Sequence, residues 1–260
     1  MLSPHRPLSR PDDGLACSAS TVPACDPTSS EPSWRRPVLV TLAVSAVVTA
    51  LSYGLPADYA ATGVGFSFLL ATYWLAVRGR SDAEVQAHGL SLGGLLLRTP
   101  LSATRLAKDT LRAAGWALAL GLVVFPPFVF AWLKWWQPPS GFRFVAPPDL
   151  LDEVLGQVLV IALPEEAFFR GYLQTELDRR FPPRFKVLGA RLGLGVVLAS
   201  GLFAVGHLLT EPHPNRLAVF FPALVFGWLR AKTGGIGAGV LFHAACNLLT
   251  ATLARGFALG

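Results

Sequence analysis

From residue 37 onward the chain alternates long apolar runs with short polar ones. Seven runs approach the ~20 residues that carry a helix across ~30 Å of hydrocarbon. They lie at about 37–55, 61–77, 113–133, 150–177, 188–209, 215–231 and 236–254. The pattern predicts an all-α, polytopic membrane helix bundle of about seven transmembrane helices. Pro126-Pro127 falls inside the third run and predicts a kink, because tandem prolines remove backbone bonds there. Trp132, Trp135 and Trp136 mark an interfacial belt at the end of that run. Between the second and third runs, residues 78–112 carry six Lys and Arg around the apolar patch Leu95-Leu96-Leu97. This stretch reads as an interfacial, partly amphipathic segment on an anionic leaflet.

Composition agrees. The chain has 260 residues, 52% hydrophobic and 15% charged, with mean hydropathy +0.49; soluble domains carry about 25% charged residues. No room remains for a large soluble domain beside the spans. Residues 1–36, rich in Pro and Ser without apolar periodicity, read as a disordered cytoplasmic tail. Residues 37–149 hold the first spans and the interfacial segment, and 150–254 a second group of spans. Cys17, Cys25 and Cys246 form neither a disulfide framework nor a thiolate metal site. No apolar stretch precedes Cys17, so a signal peptide is not read there.

The net charge of +6 does not imply nucleic acid, since the basic residues sit in short loops where they set orientation. The loops at 78–112, 178–191 and 230–232 are basic, and the intervening ones are poor. With seven spans, all rich loops share one side. The N-terminus is then cytoplasmic and the C-terminus extracytoplasmic. No internal repeat supports a transporter.

Few polar residues interrupt the spans, and a charge at a helix centre costs on the order of 2.5–3.5 kcal/mol on insertion scales. Glu165, Glu166 and Arg170 stand in the fourth run, His207 ends the fifth after Phe203, and His243 and Asn247 interrupt the seventh. Glu166 and Arg170, at i and i+4, share a helix face and read as an internal pair. Glu165 is then left to face a cavity, where a desolvated carboxylate can take a proton from water. His243 and Asn247 also share a face, and two convergent donors suit a developing oxyanion. Each group has a plain structural reading as well: ion-pair glue, a hydrogen-bonded core histidine, an interhelical polar clamp. No serine motif supports a Ser-His dyad, no Asp lies centrally in a span, and His-Glu-x-x-His is absent. Zinc held by Glu165, His207 and His243 stays open as a His₂Glu set. Depth is discordant: the run boundaries place His207 toward the outer face and His243 toward the inner. Gly234-Gly235 makes a late start of the last helix one way to bring them level.

Three ordered motifs, Glu165-Glu166-Ala-Phe-Phe-Arg170, Phe203-Ala-Val-Gly-His207 and His243-Ala-Ala-Cys-Asn247, resemble those of the CAAX-protease and bacteriocin-processing (Abi-type) family of intramembrane endopeptidases. The resemblance covers about residues 150–254. It implies that Glu165 activates a water, that His207 holds it, that His243 and Asn247 are oxyanion donors, and that Glu166 and Arg170 support them. It also implies a membrane-anchored protein substrate, a bacterial inner-membrane location and a mechanism without cofactor, metal-free in preference to zinc. The N-terminal half has no prenyl-binding signature. Size, tail and span number resemble bacterial sorting members (myxosortase-like), which cut a C-terminal membrane anchor. The rival reading is a non-catalytic scaffold or immunity protein; an ion- or proton-coupled transporter is a third.

Overall fold

A computed structural model describes residues 33–258; all but the last four residues of the expected tail lie outside them. The chain is mostly helical. Helix α1 (Arg35–Gly54) and helix α2 (Ala57–Val77) form an antiparallel pair joined at Pro56. Short α3 (Asp82–Ala87) starts with a reciprocal cap: the Glu84 N–H donates to Ser81 Oγ at 3.3 Å and the Ser81 N–H to Glu84 Oε2 at 2.9 Å. That cap holds the Glu84 carboxyl down at about 2. Helix α4 (Ala103–Trp136) starts at Ser102, whose hydroxyl accepts from the Arg105 N–H, and ends at Gln137 in the left-handed region. A continuous helical run, 150–180, is α5; Asp149 caps it by accepting from the Asp152 N–H at 3.0 Å. Then come α6 (Leu194–Thr210), α7 (Phe220–Thr233) and α8 (Gly237–Gly256).

Among the described residues four helices are long and apolar enough to cross a membrane: α1, α2, α4 and α8. The other three expected runs also lie on helices, but α6 spans 17 residues and α7 14, and α5 carries the charges. Four spans thus meet the length and hydropathy test where seven were expected. The bundle is also not purely helical. Residues 185–192, partly assigned to the fifth run, make a hairpin of β1 (Phe185–Val187) and β2 (Ala190–Leu192), with Val187 opposite Ala190. Its two-residue turn, Leu188-Gly189, has φ of +47° and +81°, the double positive φ that matches strand twist. The interfacial segment is shorter than expected, because Arg105, Lys108 and Arg112 belong to the first turns of α4. Helix α4 continues through Pro126 and Pro127.

Two stretches of α5, Gly156–Ala162 and Ala167–Gln174, are π-helical and flank Glu165 and Glu166. Such widened turns frequently mark functional sites. The core gathers around them: Phe68 of α2 packs on Phe168 and Phe169 at 5.3 and 5.4 Å, and a Cβ at Gly65 would overlap Val160 O of α5.

Staggered helix starts settle the discordant depths. Helix α8 begins beside the α3 turn, where the Ile236 N–H donates to Gly89 O at 3.1 Å. Gly171 of α5 touches the same turn, at Leu90 and His88 O, well short of the end of α5. Six residues along α8 (237 to 243) and five back along α5 (171 to 166) are about 9 and 7.5 Å. Helix α6 starts lower, with Gly195 against Asp178. Twelve residues along it (195 to 207) and thirteen back along α5 (178 to 165) are about 18 and 19.5 Å. His207, Glu165 and His243 therefore share one depth.

Candidate active site

Glu166 is fully buried and anchors the site. Its Oε1 lies 3.2 Å from Arg170 Nη1, one turn on, and accepts from His243 Nδ1 at 3.0 Å. Arg170, itself buried, donates to Ala223 O of α7 and stacks over Phe203 and Phe226 at 4.3 and 5.1 Å. A buried carboxylate survives only when paired and hydrogen-bonded, and here it ties α5, α7 and α8 together. The Phe226 ring lies flat on His243, 4.7 Å between centroids and 14° between planes, which fixes the imidazole.

Glu165 points elsewhere, as neighbours on a helix must. Its Oε2 stands 3.7 Å from His243 Nε2 and has no hydrogen-bond partner among the described residues. His243 thus faces both carboxylates, one from each ring nitrogen. His207 Nδ1 donates to Phe203 O at 3.1 Å. That bond fixes the tautomer and leaves Nε2 as an acceptor when the ring is neutral. Asn247 Nδ2 donates to Gln157 Oε1 at 2.9 Å.

Glu165, His207, His243 and Asn247 all line one cavity of about 1180 Å³, whereas Glu166 and Arg170 lie behind its wall. The structure brings the four candidates together from three helices, with the expected pair Glu166–Arg170 beneath them. Among the described residues no three His, Cys, Asp or Glu side chains form a cluster that could hold a metal ion.

Residues 147–249 match the family model of type II CAAX prenyl endopeptidases, Rce1-like. Over that stretch the chain is similar to this family. No curated protein and no solved structure matches the chain. The matched stretch contains all six candidate residues, Glu165, Glu166, Arg170, His207, His243 and Asn247. It also contains two that the reading of the sequence passed over. Gln157 was legible as a lone amide in an apolar run, eight residues before Glu165 on the same helix. Phe226 was not, because an aromatic residue in an apolar helix carries no mark of what it stacks on.

Proposed function

We propose that the protein is an intramembrane endopeptidase that hydrolyses a peptide bond beside the C-terminal membrane anchor of a protein substrate in a bacterial inner membrane. One observation carries this reading: two histidines, an amide and a carboxylate whose Oε2 accepts no hydrogen bond converge from three helices on one largely apolar cavity. A water bound between Glu165 and His207 attacks the scissile carbonyl carbon as Glu165 takes its proton. The carbonyl oxygen becomes an oxyanion that accepts hydrogen bonds from His243 Nε2 and Asn247 Nδ2. The C–N bond then breaks as Glu165 returns the proton to the amine nitrogen. Because His243 Nδ1 is committed to Glu166, donation from Nε2 requires the doubly protonated ring. The charges of Glu165, Glu166, Arg170 and His243 then cancel.

The test compares a deletion strain complemented with the wild type or with Glu165→Gln, reading the C-termini of exported single-span proteins. The expected result is uncut anchors in the deletion and in Glu165→Gln, with turnover lowered by about 10² or more, and normal termini with the wild type. The buried Glu166–Arg170–His243 network would equally serve a non-catalytic scaffold. In that case Glu165→Gln leaves every terminus unchanged and alters only thermal stability.

A further inference from the structure

We infer that the cavity opens at the extracytoplasmic end of the bundle and receives the outer juxtamembrane segment of a membrane-anchored protein. The occupant rests on the protease reading; the side of opening does not.

The direction comes from where each helix contributes to the wall. On α1 the wall begins at position 45 and reaches 52, near the helix's end. On α2 it begins at 60, just after the helix starts, and stops at Phe68. Helix α4 contributes only from 124 onward. On α5 the wall runs from Gln157 to Phe169 and no farther. On α6 it begins at Phe203 and continues to the last residue, Thr210. The segment before α7 contributes from 215, and α7 itself stops at Phe226. On α8 it begins at Phe242 and runs to 254. Each of these seven helices therefore contributes its portion between the site and the same end of the bundle, whatever the direction of its chain.

The opposite end is closed. Phe169 meets Phe203 edge-on at 5.0 Å, Phe226 meets Phe242 at 6.0 Å, and the buried Arg170 stacks under Phe203 and Phe226. This aromatic floor, with Glu166 below it, separates the cavity from the basic loops.

Charge assigns the two ends to the two sides of the membrane. Fifteen Lys and Arg residues, from Arg35 and Arg36 through 78–112 and 179–191 to Arg230 and Lys232, lie at the closed end. Four, Lys134, Arg143, Arg216 and Arg255, lie at the open end. Basic residues in short loops stay cytoplasmic, so the open end faces out. The mouth is polar: Glu211 and Arg216 pair at 3.1 Å and both line it. The walls below are mostly apolar. From Gln157 to Glu165 is eight residues of helix, about 12 Å. A substrate bond must therefore be drawn about two helical turns below the rim, with polar residues at the mouth and apolar ones in the shaft.

Thiol accessibility tests this without needing turnover. In the full chain with Cys17, Cys25 and Cys246 replaced by serine, single cysteines are placed at Asn215→Cys (mouth), Thr250→Cys (wall), Arg184→Cys (hairpin) and Leu122→Cys (lipid-facing). Intact spheroplasts are treated with a membrane-impermeant charged maleimide. The expected result is labelling of the mouth and wall variants in intact cells, of the hairpin variant only after permeabilisation, and of the Leu122 variant in neither case. Labelling of the hairpin but not the mouth in intact cells overturns the orientation. Labelling of the mouth with the wall variant protected overturns the open cavity. An inactive Glu165→Gln variant and a labelled wall are independent outcomes, so loss of the protease reading leaves the direction of opening intact.

Discussion

His243 donates from Nδ1 to the buried Glu166 carboxylate, 3.0 Å away, and that oxygen also faces Arg170 at 3.2 Å. One carboxylate therefore holds a guanidinium and an imidazole N–H from two helices, and removing Arg170 takes away the fixed charge that compensates it. Arg170→Met strands Glu166 in the interior and is expected to destabilise by about 3–5 kcal/mol, read by thermal unfolding in detergent. Glu166→Gln strands Arg170 with a similar loss. The double variant Glu166→Gln/Arg170→Met removes both buried charges and is expected to recover part of it. Equal additive losses would mean that the pair does not act as a unit.

Asn247 holds its amide in place through Gln157, whose Oε1 accepts from Nδ2 at 2.9 Å. The second N–H of that nitrogen is then free to face an oxyanion. Gln157 acts through Asn247 and is a positioning residue. Gln157→Leu keeps the volume but removes the acceptor, and is expected to lower kcat by about tenfold with KM nearly unchanged. That is less than the ~10²–10³ expected for Asn247→Ala itself. Gln157→Glu keeps an acceptor and should restore most of the rate. A fall in KM-dependent and KM-independent rates alike, without rescue by Glu, would make Gln157 a packing residue only.

The sequence showed the polar residues that spoil otherwise apolar runs, and the structure gathers them around one cavity. Glu165, Glu166, Arg170, His207, His243 and Asn247 were visible because a charge or amide in a span needs a reason. Their common depth was not visible. It depends on how far each helix starts from the membrane face, and that is set by the α3 turn wedged beneath α8 through Gly89 and Ile236. Run lengths misread the fifth span for a similar reason. The hairpin at 185–192 is apolar enough to join the run, and only the positive φ at Leu188 and Gly189 separates it. The π-helical turns around Glu165 leave no compositional trace at all.

At the basic end, burial raises the Asp178 carboxyl to about 6, against the opposing pull of Gln174 and Arg230. Its ordinary value is 3.8. Between these values the folded chain binds more protons at this site than the unfolded chain does. The stability that this site contributes is therefore fully present below about pH 4 and is lost as pH rises through about 6. Asp178→Asn, which keeps the shape and cannot ionise, is expected to flatten this slope and to be the more stable form at pH 7. Unfolding midpoints measured from pH 4 to 7.5 for both proteins decide it. Parallel curves would mean that Asp178 ionises freely in the folded state.

Gly239 lets α8 approach the buried carboxylate: a Cβ there would stand 3.0 Å from Glu166 Oε2. Gly201, inside α6, has no neighbour within 4 Å of such a Cβ. Replacing a helical glycine by alanine ordinarily stabilises by about 0.5–1 kcal/mol. Gly201→Ala should show that gain in unfolding midpoint and leave turnover unchanged. Gly239→Ala should lose the gain and lower activity, because the added methyl pushes on Glu166 and through it on His243. Gly239→Val, with a larger side chain on the same carbon, should be worse on both measures. If Gly239→Ala behaved like Gly201→Ala, the contact between α8 and Glu166 would be too loose to hold His243 in register, and the close approach could not be part of what orients the site.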